Sequence, residues 1–509
     1  MPVLTADEMR EADRAASEDY GIPPVLLMEH AAICLCRVIR SEFPAASTVA
    51  VICGRGNNGG DGIAAARILR SAGLSPRIAI VGDGPMSRLA ELNFALVKKT
   101  GSVPVMDVGT ALDGADLVVD AIFGTGFRGA VSGAAAAAVD MINASGLPVV
   151  SMDVPSGLNC DTGRVSGACV RADVTVTAAY AKRGFFLYPG SELRGRLFIA
   201  DIGIPDCSDS ACSYAEAELL AEWMPRRRRN DWKGSTGRLL VLSGSRAYTG
   251  APAFVCRAAM RCGCGMVYLA VPEEILPVMQ SKLDEVVIVP YGESDYSALF
   301  ELMDSCDAAA FGPGLGGSEF ARGLLASFAK GLRIPAVADA DALRQDVLDL
   351  RDKRFPLVIT PHAGEAARLC DGTVQEILKN PPESALALAS RFGCAAVLKG
   401  PNSIVALPEN YFYFNLTGSE ALATAGSGDV LTGVVGALLA RGLSAEESAV
   451  LGCFMHGAAG DAAAKRLGRQ GVIASDVIES LPGVASVLES GDPDAIGALM
   501  GVGRVSACL

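Results

Sequence analysis

The run from Gly54 to Gly62, GRGNNGGDG, concentrates two kinds of chemistry in one turn. Its glycines let backbone amides close on an anion, and the helix-like stretch that follows offers unpaired N–H groups and a positive dipole end to phosphate. Asn57, Asn58 and Asp61 add amide oxygens and a carboxylate inside the same turn, which suits a cation as well as an anion. Asp120 ahead of FGTGFRG, and Asp153 with Ser156 in DVPSG, bring further oxygen ligands. A hard monovalent or divalent cation fits this inventory better than zinc. Asp153 reads either as a turn or cap residue before Pro155 or, facing the glycine turn, as a general acid–base group. Lys182 in AYAKRGFFLYPG is a candidate counter-charge to phosphate.

A second constellation lies downstream. AGSGDVLTG, residues 425 to 433, joins a glycine cradle at a helix start to Asp429. A carboxylate there can take the proton of a hydroxyl attacking a phosphoryl group while the amides of the turn stabilise the developing charge. The same string is also a good helix cap. KGPNS at 399 to 403 supplies a lysine and small polar groups for a nucleotide, and GPGLG at 312 to 316 is another close-approach turn. His362 in TPHAGE, taken alone, reads as a core or capping histidine.

These residues need a scaffold that gathers loops on one rim. From Leu4 to Arg40 the pattern is helical. TVAVIC, PRIAIVG, DLVVDAIFG, LPVVSMDVPSG, DVTVTAAYA and GRLFIADIGIP then alternate with helix-like runs, which predicts a parallel α/β sheet with its chemistry at the carboxyl ends of the strands. Polar residues 206 to 215 mark a boundary. A second alternation starts at Lys233 and runs through MVYLAVP, VVIVPY, CDAAAF, RIPAVADADAL, FPLVITPHAGE and CAAVLKGPNS to a hairpin around Asn410 to Asn415. The reading is two α/β domains in series.

Composition narrows the function. A chain of 509 residues exceeds one core, and a net charge of −13 argues against a nucleic-acid binder or a membrane-surface protein. The run Arg226 to Arg229 reads as a solvated linker. The 15 cysteines contain no CxxC pair, so they are expected to be free, mostly buried thiols of a reducing compartment, by default the cytoplasm. Cys34/Cys36 and Cys262/Cys264 lack a histidine at ligand spacing and read as packing residues. GVVGALLA is too short to cross a bilayer.

LMEHAA, GRGNNGGDG, DAIFGTGFRG, DVPSGL and AKRGFFLYPG resemble the motifs of NAD(P)H-hydrate epimerase domains, over nearly all of residues 1 to 211. The resemblance implies that substrate is held by Asn57, Asn58, Gly59, Gly60 and Asp61 of the first loop. A second loop, Gly124, Thr125, Gly126, Phe127, Arg128, Gly129 and Ala130, would hold it too. It further implies potassium bound by Asn58, Asp120 and Ser156, with Asp153 placed for proton transfer. His30 stands where the family usually has Asn. Residues 222 to 490 resemble the ribokinase-like ADP-dependent NAD(P)H-hydrate dehydratase. There Lys399, Gly400, Pro401, Asn402, Ser403 and Gly428 would hold the nucleotide, Ala253, Gly316 and His362 would contact the hydrate, and Asp429 would be the base. Trp232 replaces a frequent His before Lys-Gly.

The expected fold class is therefore α/β, a Rossmann-like three-layer domain followed by a ribokinase-like three-layer domain, with a linker at 212 to 221 and a C-terminal tail at 491 to 509. The expected function is interconversion of R and S hydrates of NADH or NADPH, and dehydration of the S epimer at the expense of ADP, with Mg2+ at the phosphates. NADH and NADPH hydrates and ADP are the expected partners, with no nucleic acid and no membrane, and a homo-oligomer is expected. The alternatives are a ribokinase-like small-molecule kinase with an accessory nucleotide-binding N-terminal domain, or one in which that domain is a non-catalytic scaffold.

Overall fold

The computed structural model describes residues 1–205, 210–292, 296–349 and 355–507, so the first part of the expected boundary at 206 to 215 lies outside the described residues. Two compact units emerge, one of residues 1–210 with 501–509 and one of residues 211–500.

Strand formation in the first unit follows from apolar, β-branched runs that are covered on both faces. In Thr48–Cys53, Val49, Val51 and Cys53 enter one core cluster while Ala50 and Ile52 enter the other, the period-2 signature of a sheet sandwiched between helix layers. Helices Pro24–Glu42 and Asn57–Ser71 supply the first layer, and Gly133–Ala144 the second. The sheet is all parallel, in the order Val502–Ser506, Arg196–Asp201, Val174–Ala178, Val149–Met152, Leu117–Ala121, Thr48–Cys53, Ser75–Ile80, Val105–Met106. The order reverses between Thr48–Cys53 and Leu117–Ala121. Their carboxyl ends therefore open a crevice at the switch point, where α/β sheets take ligands.

Among the described residues the second unit carries a ten-stranded sheet in which only Ile404–Leu407, between Ala395–Leu398 and Tyr411–Phe414, runs against the others. Helix Ser427–Ala440, which contains GVVGALLA, is buried along almost its whole length. Gly433 allows its contact with helix Gly250–Arg261, because a Cβ there would collide with the Val255 carbonyl. It is a core helix, and no described helix is long and apolar enough to cross a membrane.

Two expected boundaries need correction. Residues 212 to 221 are not a linker: Cys212–Ser213 pairs with Tyr411–Phe414, and helix Ala217–Trp223 follows. Nor is 491 to 509 a featureless tail. Helix Pro493–Met500 belongs to the second unit, and Val502–Ser506 is an edge strand of the first, in register Val502↔Leu197 through Ser506↔Asp201. Arg37 Nη1 donates to the Ser506 carbonyl at 2.6 Å, and the Phe198 ring packs where Gly503 has no Cβ. The strand escaped the sequence because VGRVS has two apolar residues and its partner lies some three hundred positions earlier.

A truncation ending at Met500 is expected to destabilise the first unit by about 3 kcal/mol, since each ladder hydrogen bond nets about 1 kcal/mol, and to leave the second unit unchanged. Calorimetry of the full and truncated chains checks this through the transition that moves.

Candidate functional site

The first unit's crevice is a cleft of about 1240 Å³ walled by Asn57, Asn58, Asp61, Gly124 to Arg128, Asp153 and Lys182. Tight backbone contacts shape its floor. A Cβ at Gly54 would strike the Ile122 carbonyl, one at Gly59 would strike the Gly54 carbonyl, and at Gly56 the space is open. Helix Asn57–Ser71 begins at Gly56 without a side-chain cap, so its first amides remain for a ligand.

Beneath the turn lies a buried carboxylate. Asp120 is wholly inaccessible, and its Oδ1 accepts from Ser156 Oγ at 2.6 Å and Ile122 N at 3.3 Å. Its Oδ2 accepts from Ser151 Oγ at 2.8 Å and Ser156 N at 2.9 Å. Burial pushes this carboxyl above its ordinary range in spite of those four bonds. Asn58 is the exception to this satisfaction: it is buried, and among the described residues neither Oδ1 nor Nδ2 finds a hydrogen-bond partner. A buried amide oxygen left open is available to a ligand.

Asp153 sits at the cleft wall with φ of +63°, a strained conformation for a non-glycine residue. Its Oδ1 accepts from Lys182 Nζ at 2.8 Å and its Oδ2 from Thr125 N at 2.9 Å and Thr125 Oγ1 at 3.1 Å. Burial acts to raise this carboxyl, but the Lys182 ammonium and the Thr125 donors hold it below the ordinary value. Lys182 is fully buried and also donates to Thr177 Oγ1 and the Ala178 carbonyl, so the expectation of a phosphate counter-charge is corrected: it is the partner of Asp153. Asp61 moves the opposite way, raised by burial and by the carboxylates of Asp153 and Asp13. Asp13, which sequence reading missed, is pushed up to about 6 by desolvation of its carboxyl in the cleft, against the pull of Lys182. Gly59, Gly60, Gly129 and Ala130 do not line the cleft; Gly60 packs against Met28. His30 Nδ1 lies 2.9 Å from the Ile202 carbonyl of its own unit.

In the second unit Lys399 pairs with the buried Asp339, next to Gly428 and Asp429. Lys399 follows strand Ala395–Leu398, and its Nζ lies 2.8 Å from Asp339 Oδ1 and 3.9 Å from Glu365 Oε2. Asp339 Oδ2 accepts from Thr432 Oγ1 at 2.8 Å. Gly428 closes over the pair, for a Cβ there would stand 3.3 Å from Lys399 Nζ. The helix start at Gly426, with φ of +88° and no side-chain cap, leaves amides free beside Asp429. Burial and the neighbouring Asp339 raise the Asp429 carboxyl to about 6, with Lys399 opposing.

His362 caps helix Ala363–Leu369, its Nδ1 accepting from Gly364 N at 3.0 Å and Glu365 N at 3.3 Å, which leaves Nε2 to carry the proton toward Glu365 Oε1 at 3.4 Å. Burial raises the Glu365 carboxyl, opposed by Lys399 and reinforced by Asp339. Ala253 is buried in a helix whose first turn spans two glycine turns, with Ala251 against Gly314 and Phe254 against Gly426. Gly316 N donates to Asp341 Oδ2 at 2.8 Å. Gly400 and Pro401 are exposed, and Asn402 Nδ2 reaches the Asn415 carbonyl at 3.5 Å. Ser427 Oγ contacts His456 Nε2 at 3.1 Å, and burial lowers this histidine to about 4, keeping it neutral under the turn. Trp232 is exposed and lies over Gly234.

Asp339, Glu365, Thr432 and His456 were not singled out from sequence. The available signal for Asp339 was its position one residue past strand Ala336–Ala338.

Comparison with known proteins agrees with this division. Residues 25–184 match the family model of the YjeF-related protein N-terminus, and residues 239–483 that of NAD(P)H-hydrate dehydratase. The chain is 38% identical over 516 residues to the bifunctional NAD(P)H-hydrate repair enzyme Nnr of Moorella thermoacetica, covering 96% of this chain and 97% of that protein. It is 34% identical over 485 residues to the enzyme of the same name from Escherichia coli K12, covering 94% and 93%. Among solved structures, a ribokinase-like superfamily protein of Enterococcus faecalis V583 aligns with TM-score 0.50 and 21% identity over 56% of this chain and 98% of that one, a likeness of fold.

Proposed function

The chain belongs to the family of bifunctional NAD(P)H-hydrate repair enzymes, and from that membership we propose that its first unit interconverts the R and S hydrates while its second dehydrates the S epimer with ADP. The observation that carries the assignment of roles is the pairing, in each unit, of an uncapped glycine turn with a carboxylate whose protonation its surroundings control.

In the second unit Asp429 takes the proton of the C6 hydroxyl as that oxygen attacks the terminal phosphorus of ADP, and AMP departs. The C6 phosphate then leaves with its bonding electrons while a proton is lost from C5, which restores the ring double bond. The Gly428 and Asp429 amides at the start of helix Ser427–Ala440 would face the developing phosphoryl charge, with Lys399 close to Gly428. Magnesium, when bound, supplies charge neutralisation on the phosphates. Glu365 is already met by His362 N at 2.8 Å and lies 3.9 Å from Lys399 Nζ, and no group of three or more metal-ligating side chains gathers among the described residues, so magnesium would be held chiefly by the nucleotide's own phosphates. The Lys399–Ser403 loop and Gly428 would hold the nucleotide, and Ala253, Gly316 and His362 the hydrate.

In the first unit Asp153 is the base, held ionised by Lys182 and aimed by Thr125. Potassium fits the open Asn58 oxygen, and Ser156, whose Oγ donates to Asp120, would be a further ligand. Asp120 would contribute charge more than a free lone pair, because four donors already occupy it. Bound there, the ion supplies positive charge between the glycine turn and the DVPSG loop.

Epimerisation is expected to rise saturably with K+ at constant ionic strength, and Asn58→Leu to lose both that dependence and about tenfold in rate. A K+ titration with choline as the balancing ion checks it. Equal rates with and without K+ would remove the ion from the site.

Burial of most of the described cysteines supports a cytoplasmic location. Exposed Leu92 and Leu96, one turn apart on helix Arg88–Thr100, support a homo-oligomer, which sedimentation of Leu92→Glu tests.

The assignment as a whole is tested by mixing the pure chain with hydrated NADH, ADP and magnesium. Return of the NADH absorbance supports it, whereas a phosphorylated small-molecule product made from ATP would favour a kinase.

A further inference from the structure

The glycines of the first turn stand in a dinucleotide-binding pattern. Gly54, Gly56 and Gly59 have the G-x-G-x-x-G spacing between a strand and a helix of a sheet that reverses its order at that point. Their surroundings divide the roles as that pattern requires. Gly54 takes the tight approach to the Ile122 carbonyl, Gly56 faces open space where a pyrophosphate can come near the backbone, and Gly59 packs helix against turn. In such a site the adenosine ribose reaches the end of the next strand, and an acid there accepts from its 2′-hydroxyl.

The next strand is Ser75–Ile80, prolonged by Val81 N donating to the Cys53 carbonyl at 2.8 Å. Asp83 lies two residues beyond, lines the same cleft as Asn58 and Asp153, and is exposed. Its loop is braced on the glycine turn itself. Arg55 Nε donates to the Gly82 carbonyl at 2.6 Å and Arg55 Nη1 to the Gly84 carbonyl at 2.6 Å, while Ser87 N donates to the Arg55 carbonyl at 2.8 Å. Gly82 and Gly84 flank Asp83 with φ of +89° and +96°, conformations that let the loop turn around this one side chain. The nearby cation is thus engaged with backbone carbonyls, and the carboxylate is held out at the rim.

We propose that Asp83 reads the adenosine ribose in the first unit and makes NADH hydrate, rather than NADPH hydrate, the preferred epimerisation substrate. The inference rests on the reading of this unit as an epimerase. A carboxylate accepts a hydrogen bond from a free 2′-hydroxyl, whereas a 2′-phosphate brings like charge to the same place and has no proton to offer it. The preference lives in the first unit alone, since Asp83 belongs to no part of the second.

The test omits ADP, so that the second unit cannot consume substrate. The full chain and its Asp83→Ser variant receive pure R-NADH hydrate or pure R-NADPH hydrate, and the S epimer is followed by chromatography. Expected is a wild-type kcat/KM about tenfold higher for NADH hydrate, the discrimination that one charge-assisted hydrogen bond supplies. Asp83→Ser should abolish or invert that ratio, with the change in KM. Equal wild-type values for the two hydrates, or a ratio that Asp83→Ser leaves untouched, would overturn the inference while leaving the epimerase reading intact. A wild-type preference for NADPH hydrate would give the ribose site to Arg55 and overturn it as well. Conversion of neither hydrate would instead refute the epimerase reading, and the inference with it.

Discussion

Asp429→Asn is expected to lower dehydration of the S hydrate by about 10³-fold while R/S interconversion continues at the wild-type rate. The size follows from what a positioned general base contributes, roughly 10² to 10⁴. The amide preserves shape, and the Lys399–Asp339 pair, Thr432 and the Gly428 backbone remain in contact without it. The loss should therefore fall on kcat more than on KM. To act as the proposed base Asp429 must be ionised, and burial together with Asp339 raises its pKa to about 6. Dehydration kcat/KM should accordingly climb tenfold per pH unit below about 6 and level off above it, a limb that the variant lacks.

Stability gives an independent readout of the same carboxyl. Its folded pKa stands above the unfolded value, so the folded state binds the proton more tightly, and stability falls as pH rises from about 4 to about 6. At pH 7 the penalty is fully present in the wild type and absent from the variant. Asp429→Asn should thus melt no lower than wild type at pH 7, and a lower melting temperature would show that the carboxylate is structural.

Loss of the first activity is expected from Asp153→Asn, about 10²-fold or more, with dehydration of supplied S hydrate retained. Here the single variant carries a second consequence. Lys182 is fully buried, and removing its counter-charge leaves an ammonium with Thr177 Oγ1 and the Ala178 carbonyl alone. Breaking such a pair typically costs about 3–5 kcal/mol. The double variant Asp153→Asn/Lys182→Met removes both charges and should regain most of that stability without regaining epimerisation. Recovery of activity in the double variant would show that Asp153 serves Lys182 and not the substrate. The pH dependence has the sign opposite to that of Asp429. The Asp153 carboxyl is held below its ordinary value, so its contribution is complete above about pH 4 and is lost as the pH drops through the folded value.

The contrast between the two aspartates explains how much of each site the sequence could reveal. Asp153 and Asp429 were legible as candidates because each stands beside a glycine turn at a strand or helix end. Whether a neighbouring lysine meets phosphate or aspartate was not legible. Lys182 lies in the short strand Ala181–Lys182 and Lys399 just after the strand Ala395–Leu398, and both meet carboxylates. Asp339 and Asp341 illustrate the same limit. Two acids in ADADA follow a three-residue strand, and only packing decides that the first meets Lys399 while the second holds the Gly316 amide. Parallel order was readable from apolar alternation, whereas the edge strand Val502–Ser506 was not, because its pairing spans the whole second unit in sequence.

The most direct test follows the NADH absorbance after the pure chain, magnesium and ADP are added to a mixture of R and S hydrates. Recovery of the whole mixture is predicted for the wild type, recovery stalled at the S fraction for Asp153→Asn/Lys182→Met, and none for Asp429→Asn. Absence of recovery from the wild type, with either ADP or ATP, would contradict the account of both units.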